Sequence, residues 1–135
     1  LITVDVQHRG GTVLLSATGE LDEDAGEPLH AAVDGIPAGV RDLLVDLHGV
    51  PAMDRDGLLH LLDVHRRAER RGLRVLVTGW QPQPQQCMAD IAGIPGTRTA
   101  TGERYAMAGF RRLIEQRAHN ARDLADFTAG WLSRS

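Results

Sequence analysis

The run Leu43-Leu44-Val45-Asp46-Leu47 is the strongest constraint in this sequence. A short, nearly continuous apolar run suits a central strand buried on both faces rather than a half-exposed one. Soon after it the period changes. From Leu58 to Arg71 the spacing is helical, with Leu58, Leu61, Leu62, His65 and Ala68 on one stripe and Asp63, Arg66, Arg67 and Arg70 elsewhere. Gly72 is a good helix stop. A second apolar run, Leu73-Arg74-Val75-Leu76-Val77-Thr78, reads as the next strand. Strand, helix, strand in this order predicts a largely parallel sheet with right-handed crossovers.

The N-terminal part has a different signal. Ile2-Thr3-Val4-Asp5-Val6 alternates with the period of a half-buried strand. Arg9-Gly10-Gly11 is turn chemistry, and Thr12 to Thr18 predicts a second strand, so the first pair forms a hairpin. Ala25 to Asp34 reads as a short helix with Asp22 or Asp24 as cap. His48 to Met53 reads as a loop, Gln81-Pro82-Gln83-Pro84 as a turn, and Gln85 to Ala92 as a short helix. Thr97 to Thr101 is a candidate final strand, Tyr105 to Arg117 a helix, and Leu124 to Leu132 another. The expected fold is α/β: a mixed sheet of four to five strands, helices packed mainly on one face, and an extra C-terminal helix. Residues 1–118 form the domain and residues 119–135 a helical extension, which could dock on the sheet or join two copies as a homodimer.

Composition removes several classes of function. All basic residues among the 135 are Arg, 15 against 18 acids, for a net charge of −3. Without Lys there is no Lys nucleophile, Schiff base, Walker phosphate loop or receiver-type phosphoacceptor site. Residues 1–67 are acidic and residues 68–135 basic, but neither half is charged strongly enough to demand nucleic acid. Cys87 stands alone, which excludes an internal disulfide or a cysteine zinc cage, and it reads as a packed small residue. No stretch reaches the roughly 18 apolar residues of a membrane span. The start lacks the features of a secretion signal, so a cytoplasmic location is expected. Asp46 and His48, with Asp54 and Asp56 near by, are ligand types for a divalent metal, but the strand reading makes them structural, and no metal or cofactor is expected. Ser16 has no His-Asp arrangement around it, so hydrolysis is not expected.

The element order, together with four motifs in register, resembles the STAS domain family, in particular the bacterial anti-sigma factor antagonists. The motifs are Gly19-Glu20-Leu21-Asp22; Leu43 to Val50 leading to Met53-Asp54-Arg55-Asp56-Gly57-Leu58; Arg66-Arg67-Ala68 with Gly72-Leu73 and Val75-Leu76-Val77; and Ile91-Ala92-Gly93-Ile94. The resemblance covers roughly residues 2–113. It implies a non-enzymatic binding module whose partner is a kinase-type anti-sigma factor. It also implies a partner surface of Asp22, Asp54, Arg55, Asp56, Gly57 and His60. A second role that the fold serves is that of a scaffold subunit in a larger signalling or lipid-transport complex.

The family turn reads Asp-Ser-Ser-Gly, and its second serine accepts phosphate. Here it reads Asp54-Arg55-Asp56-Gly57, which puts Asp56 at the acceptor position. No Ser, Thr or Tyr lies between Thr18 and Thr78. Phosphate at a helix start brings about −1.5 to −2 charge and three acceptor oxygens, so a carboxylate imitates it only in part. The simplest structural role for Asp56 is a helix N-cap, worth about 1 kcal/mol.

Overall fold

The computed structural model describes residues 1–93 and the helical positions 107, 111, 112, 115 and 116. Four strands, β1 (Ile2–Arg9), β2 (Thr12–Leu21), β3 (Asp42–Met53) and β4 (Arg74–Thr78), form one sheet in the order β1-β2-β3-β4. β1 and β2 are antiparallel and face residue for residue from Ile2↔Gly19 to Arg9↔Thr12. β2 and β3 are parallel, as are β3 and β4. A 3-10 turn (Glu23–Ala25) and α1 (Gly26–Asp34) connect β2 to β3, and α2 (Arg55–Arg70) connects β3 to β4. α3 (Pro82–Ala92) follows β4. The expected mixed sheet and the hairpin are present. The candidate strand at residues 97–101 and the extension 119–135 lie outside the described residues.

The core lies between the sheet and its helices. Val13, Leu15, Leu43 and Val45 alternate inward and are fully buried, and Leu29, Val33, Leu58, Leu61 and Met88 meet them from the helices. Each such large side chain contributes about 1.5–3 kcal/mol relative to exposure. The stripe read on α2 is its buried face: Leu58, Leu61, Leu62, His65 and Ala68 are all buried, joined by Val64.

Some sequence expectations need correction. β3 is buried on one face only: Leu43, Val45 and Leu47 are fully buried, whereas Leu44 and Asp46, on the other face, are half-buried. His48 to Met53 is strand, not loop: β3 continues to Met53, paired through Thr18↔Gly49, Glu20↔Ala52 and Leu21↔Met53, after register shifts around Thr18. Pro51 is tolerated there because pairing with β4 ends at Asp46, which leaves this part of β3 at an edge. Likewise the Gln-Pro run is not a turn. α3 starts at Pro82, with Gln81 as its N-cap. Both prolines sit in the first turn, where N–H groups have no acceptor within the helix.

Candidate functional site

The junctions β2-to-α1 and β3-to-α2 lie side by side and build one surface. The backbone N–H of Asp54 donates to the Leu21 carbonyl at 3.0 Å, joining the end of β3 to the end of β2. Asp22 follows Leu21 directly, and its Oδ1 accepts from Asp24 N at 3.0 Å, which caps the 3-10 turn. α1 itself has no side-chain cap; its N-cap residue is Ala25.

α2 begins at Arg55, three residues earlier than its apolar stripe suggests. Asp54 is extended and is the N-cap: its Oδ1 accepts from Gly57 N at 2.9 Å. The capping role expected of Asp56 therefore belongs to Asp54. Asp56 lies in the first turn, exposed, with no hydrogen bond or ion pair among the described residues, and Arg55 beside it is equally free. A carboxylate there gains from the positive end of the helix without being tied to it.

Gly57 does not present a side of its own to a partner. It is buried against Leu21, where an added Cβ would stand 1.9 Å from the Leu21 carbonyl oxygen. Glycine thus lets the first turn of α2 lie directly on the end of β2. One helical turn on, the His60 ring covers the backbone of Gly26, with Nε2 3.0 Å from the Glu23 carbonyl oxygen. That nitrogen donates to Glu23 when it carries the proton. His60 also meets His30 edge to face, with centroids 5.7 Å apart. His30 Nε2 lies 2.9 Å from Asp63, the carboxylate that also accepts from Arg66 and Arg67. Burial alone would raise the pKa of Asp63, but Arg67, with His30 and Arg66, holds it below its ordinary value.

The structure therefore brings Asp22, Asp54, Arg55, Asp56, Gly57 and His60 together, in different capacities. Asp22, Asp54 and Gly57 shape the surface, His60 brackets α2 to the 3-10 turn, and Arg55 and Asp56 stand free on it. Two contributors escape the sequence reading. Leu59, off the buried stripe and three residues after Asp56, is 45% exposed. Gln83 bonds both backbone groups of Met53: Oε1 accepts from its N–H at 2.7 Å and Nε2 donates to its carbonyl at 3.0 Å. With Gln81 donating to the His48 carbonyl at 2.6 Å, α3 fastens the strand that leads into the site. The place of Leu59 off the apolar stripe is its signal in the sequence; no local pattern points to Gln83.

The surface is strongly negative. Glu20, Asp22, Glu23, Asp24, Asp54 and Asp56 lie on the two junctions, against the one cation Arg55 among the described residues of these segments. Among the described residues no group of three or more His, Cys, Asp or Glu side chains is placed to hold a metal ion. Asp46 and His48 instead satisfy each other, His48 Nδ1 lying 2.6 Å from Asp46 Oδ2. The Cys87 thiol is pushed up by burial and by the fields of Asp54 and Asp90, which keeps it protonated and a poor nucleophile. No described helix is long and apolar enough to cross a membrane.

Comparison with known proteins agrees with this fold. A sulfate transporter family protein from Wolinella succinogenes superposes with a TM-score of 0.56 at 20% identity, covering 78% of this chain and 88% of that one. An anti-sigma factor antagonist from Mycobacterium paratuberculosis superposes with a TM-score of 0.50 at 21% identity, covering 70% and 80%. Mglu matches with a TM-score of 0.54 at 24% identity over 58% of this chain, which spans only 20% of the length of Mglu. At these identities the likeness is one of fold. No curated protein matches. The family model described as "Mlab, STAS domain" matches residues 4–94, well over half of the sequence. On that match the chain belongs to the STAS domain family.

Proposed function

We propose that this chain is a non-enzymatic protein-binding module of the anti-sigma factor antagonist type. It docks a kinase-type anti-sigma factor through the start of α2, and phosphorylation does not switch that docking. Asp56 carries the reading. It occupies the exposed first turn of α2 at the family's phosphoacceptor position, free of any bond among the described residues, and no hydroxyl side chain lies between Thr18 and Thr78. Arg55, Asp56 and Leu59 are the direct contacts. Asp22, Asp54, Gly57 and His60 hold their backbone. The acidic surroundings select a basic partner face and speed its approach.

The test is binding of the full chain to a purified kinase-type anti-sigma factor, with and without ATP and magnesium. Binding is expected to be unchanged by ATP, with no phosphate found by mass spectrometry between residues 51 and 60. In Asp56→Ser, phosphate should appear and binding should become ATP-sensitive. Phosphate on the wild-type segment, or no binding to such kinases at all, defeats the proposal.

A second reading is a permanent STAS-fold subunit of a larger signalling or lipid-transport assembly. The family match, to the "Mlab, STAS domain" model, favours it. So does the missing hydroxyl, because a constitutive subunit needs no switch. Stoichiometric co-purification with a stable complex from native cells, together with absent kinase binding, would select this reading.

A further inference from the structure

The face of the sheet turned away from the helices has an ordered pattern. Leu14, Leu44 and Leu76 are direct cross-strand neighbours and form an apolar rung, extended on β1 by Gln7. Leu76 is 55% exposed. On one side of the rung runs the row Arg9, Thr12, Asp42, Arg74; on the other runs Asp5, Ser16, Asp46, Thr78. The first row is net positive and the second purely acidic. Two hollows of 350 and 320 Å³ lie beside the rung and meet at Thr12 and Leu44. β2, β3 and β4 are mutually parallel, and parallel strands are normally covered on both faces.

We propose that this face is a two-fold interface between two copies of the chain. Taken by rows, its charge pattern is self-complementary about an axis along the rung. A two-fold along the rung lays leucine on leucine and places each basic row on the partner's acidic row. Arg9 then faces the partner's Asp5. Arg74 lies diagonal to the partner's Asp46. Asp42, the one acid in the basic row, faces the partner's Asp46, and its charge is already offset by Arg74, whose Nε donates to it at 2.7 Å. An axis along the strands would instead lay each row on its own copy and set Arg9 against the partner's Arg74. The chosen arrangement is an aligned sheet-on-sheet packing, in which facing side chains interdigitate, and the two hollows leave room for that. It leaves the start of α2 free, so each copy retains its own partner surface.

Sedimentation velocity of the full chain, over a concentration series at low and high salt, tests the proposal. The wild type should be a dimer that salt weakens. Leu44→Glu should raise the dimer dissociation constant by about tenfold or more with unchanged circular dichroism. Should that variant fail to fold, Leu76→Lys makes the same test at a position already exposed. Asp5→Arg and Arg9→Asp should each weaken the dimer, and the two together should restore it. A wild type that is monomeric throughout, as it would be were this face covered by the chain's own later residues, overturns the proposal. A dimer indifferent to the rung variants or to the charge swap overturns it equally.

Discussion

Gly57 and the carbonyl oxygen of Leu21 are so close that no Cβ fits between them: a methyl group at residue 57 would stand 1.9 Å from that oxygen. Backbone cannot retreat as a flexible side chain does, so α2 would have to lift from the end of β2. Gly57→Ala is expected to destabilise the fold by about 2–3 kcal/mol, read as a lower urea midpoint. Wild-type stability in that variant would mean that the contact yields.

The two aspartates at the start of α2 should separate stability from recognition. Asp54→Ala removes a cap bonded to Gly57 N and should cost about 1 kcal/mol. Asp56→Ala removes an unbonded exposed group and should change stability by less than about 0.5 kcal/mol. Thermal melts of both variants check the ranking. The opposite order would place the cap at residue 56.

His65 makes stability fall with acid. Its ring is buried, and burial lowers its pKa; Arg111 and Arg112 lower it further, and Glu69, whose Oε1 is 3.4 Å from Nδ1, opposes them. Below about pH 6.5 the unfolded chain takes up a proton here that the folded chain resists. The stabilisation is therefore whole above that pH and is lost as pH falls through the lowered folded value. The slope is at most about 1.4 kcal/mol for each pH unit. Denaturant titrations from pH 7 to pH 5 should show this slope, and His65→Met should flatten it.

Arg71 closes the far end of α1. Its guanidinium donates to the carbonyls of Val33, in the last turn of α1, and of Ile36, just beyond it. A cation at a helix C-terminus is favoured by the dipole as well as by the bonds. Arg71→Met keeps the aliphatic stem and should still cost about 1–2 kcal/mol, measured by chemical denaturation.

The elements legible in the sequence were those whose burial is repeated. The apolar run Leu43 to Leu47 marks a strand and the stripe from Leu58 to Ala68 repeats the helical period, so both elements form there, although only one face of β3 is fully buried. The errors cluster at residues that usually break structure but here do not. Gly49 and Pro51 look like a loop, yet they lie on an edge of β3 where one missing N–H does no harm. Pro82 and Pro84 look like a turn, yet they open α3. The residues that the resemblance implies for a partner surface lie together in the fold, but their separate structural roles were not legible. Asp54 and Asp56 are chemically identical, and only the extent of β3 decides which one caps α2. Gln83 acts across the fold on Met53, a relationship that no local pattern encodes.

If the start of α2 is the docking surface proposed above, the grip of Gln83 on Met53 bears on how fast a partner is captured and how long it is held. The amide bonds the backbone immediately before Asp54, much as a neighbouring strand would, so the segment entering α2 does not have to order itself during an encounter. Collision with a surface already in shape leaves the association rate to diffusion and to the negative field. Differences in affinity between partners should then appear mainly as residence time. Gln83→Ala, by loosening that segment, should slow association as well as shorten the lifetime of the complex, a kinetic signature that a lost direct contact would not give.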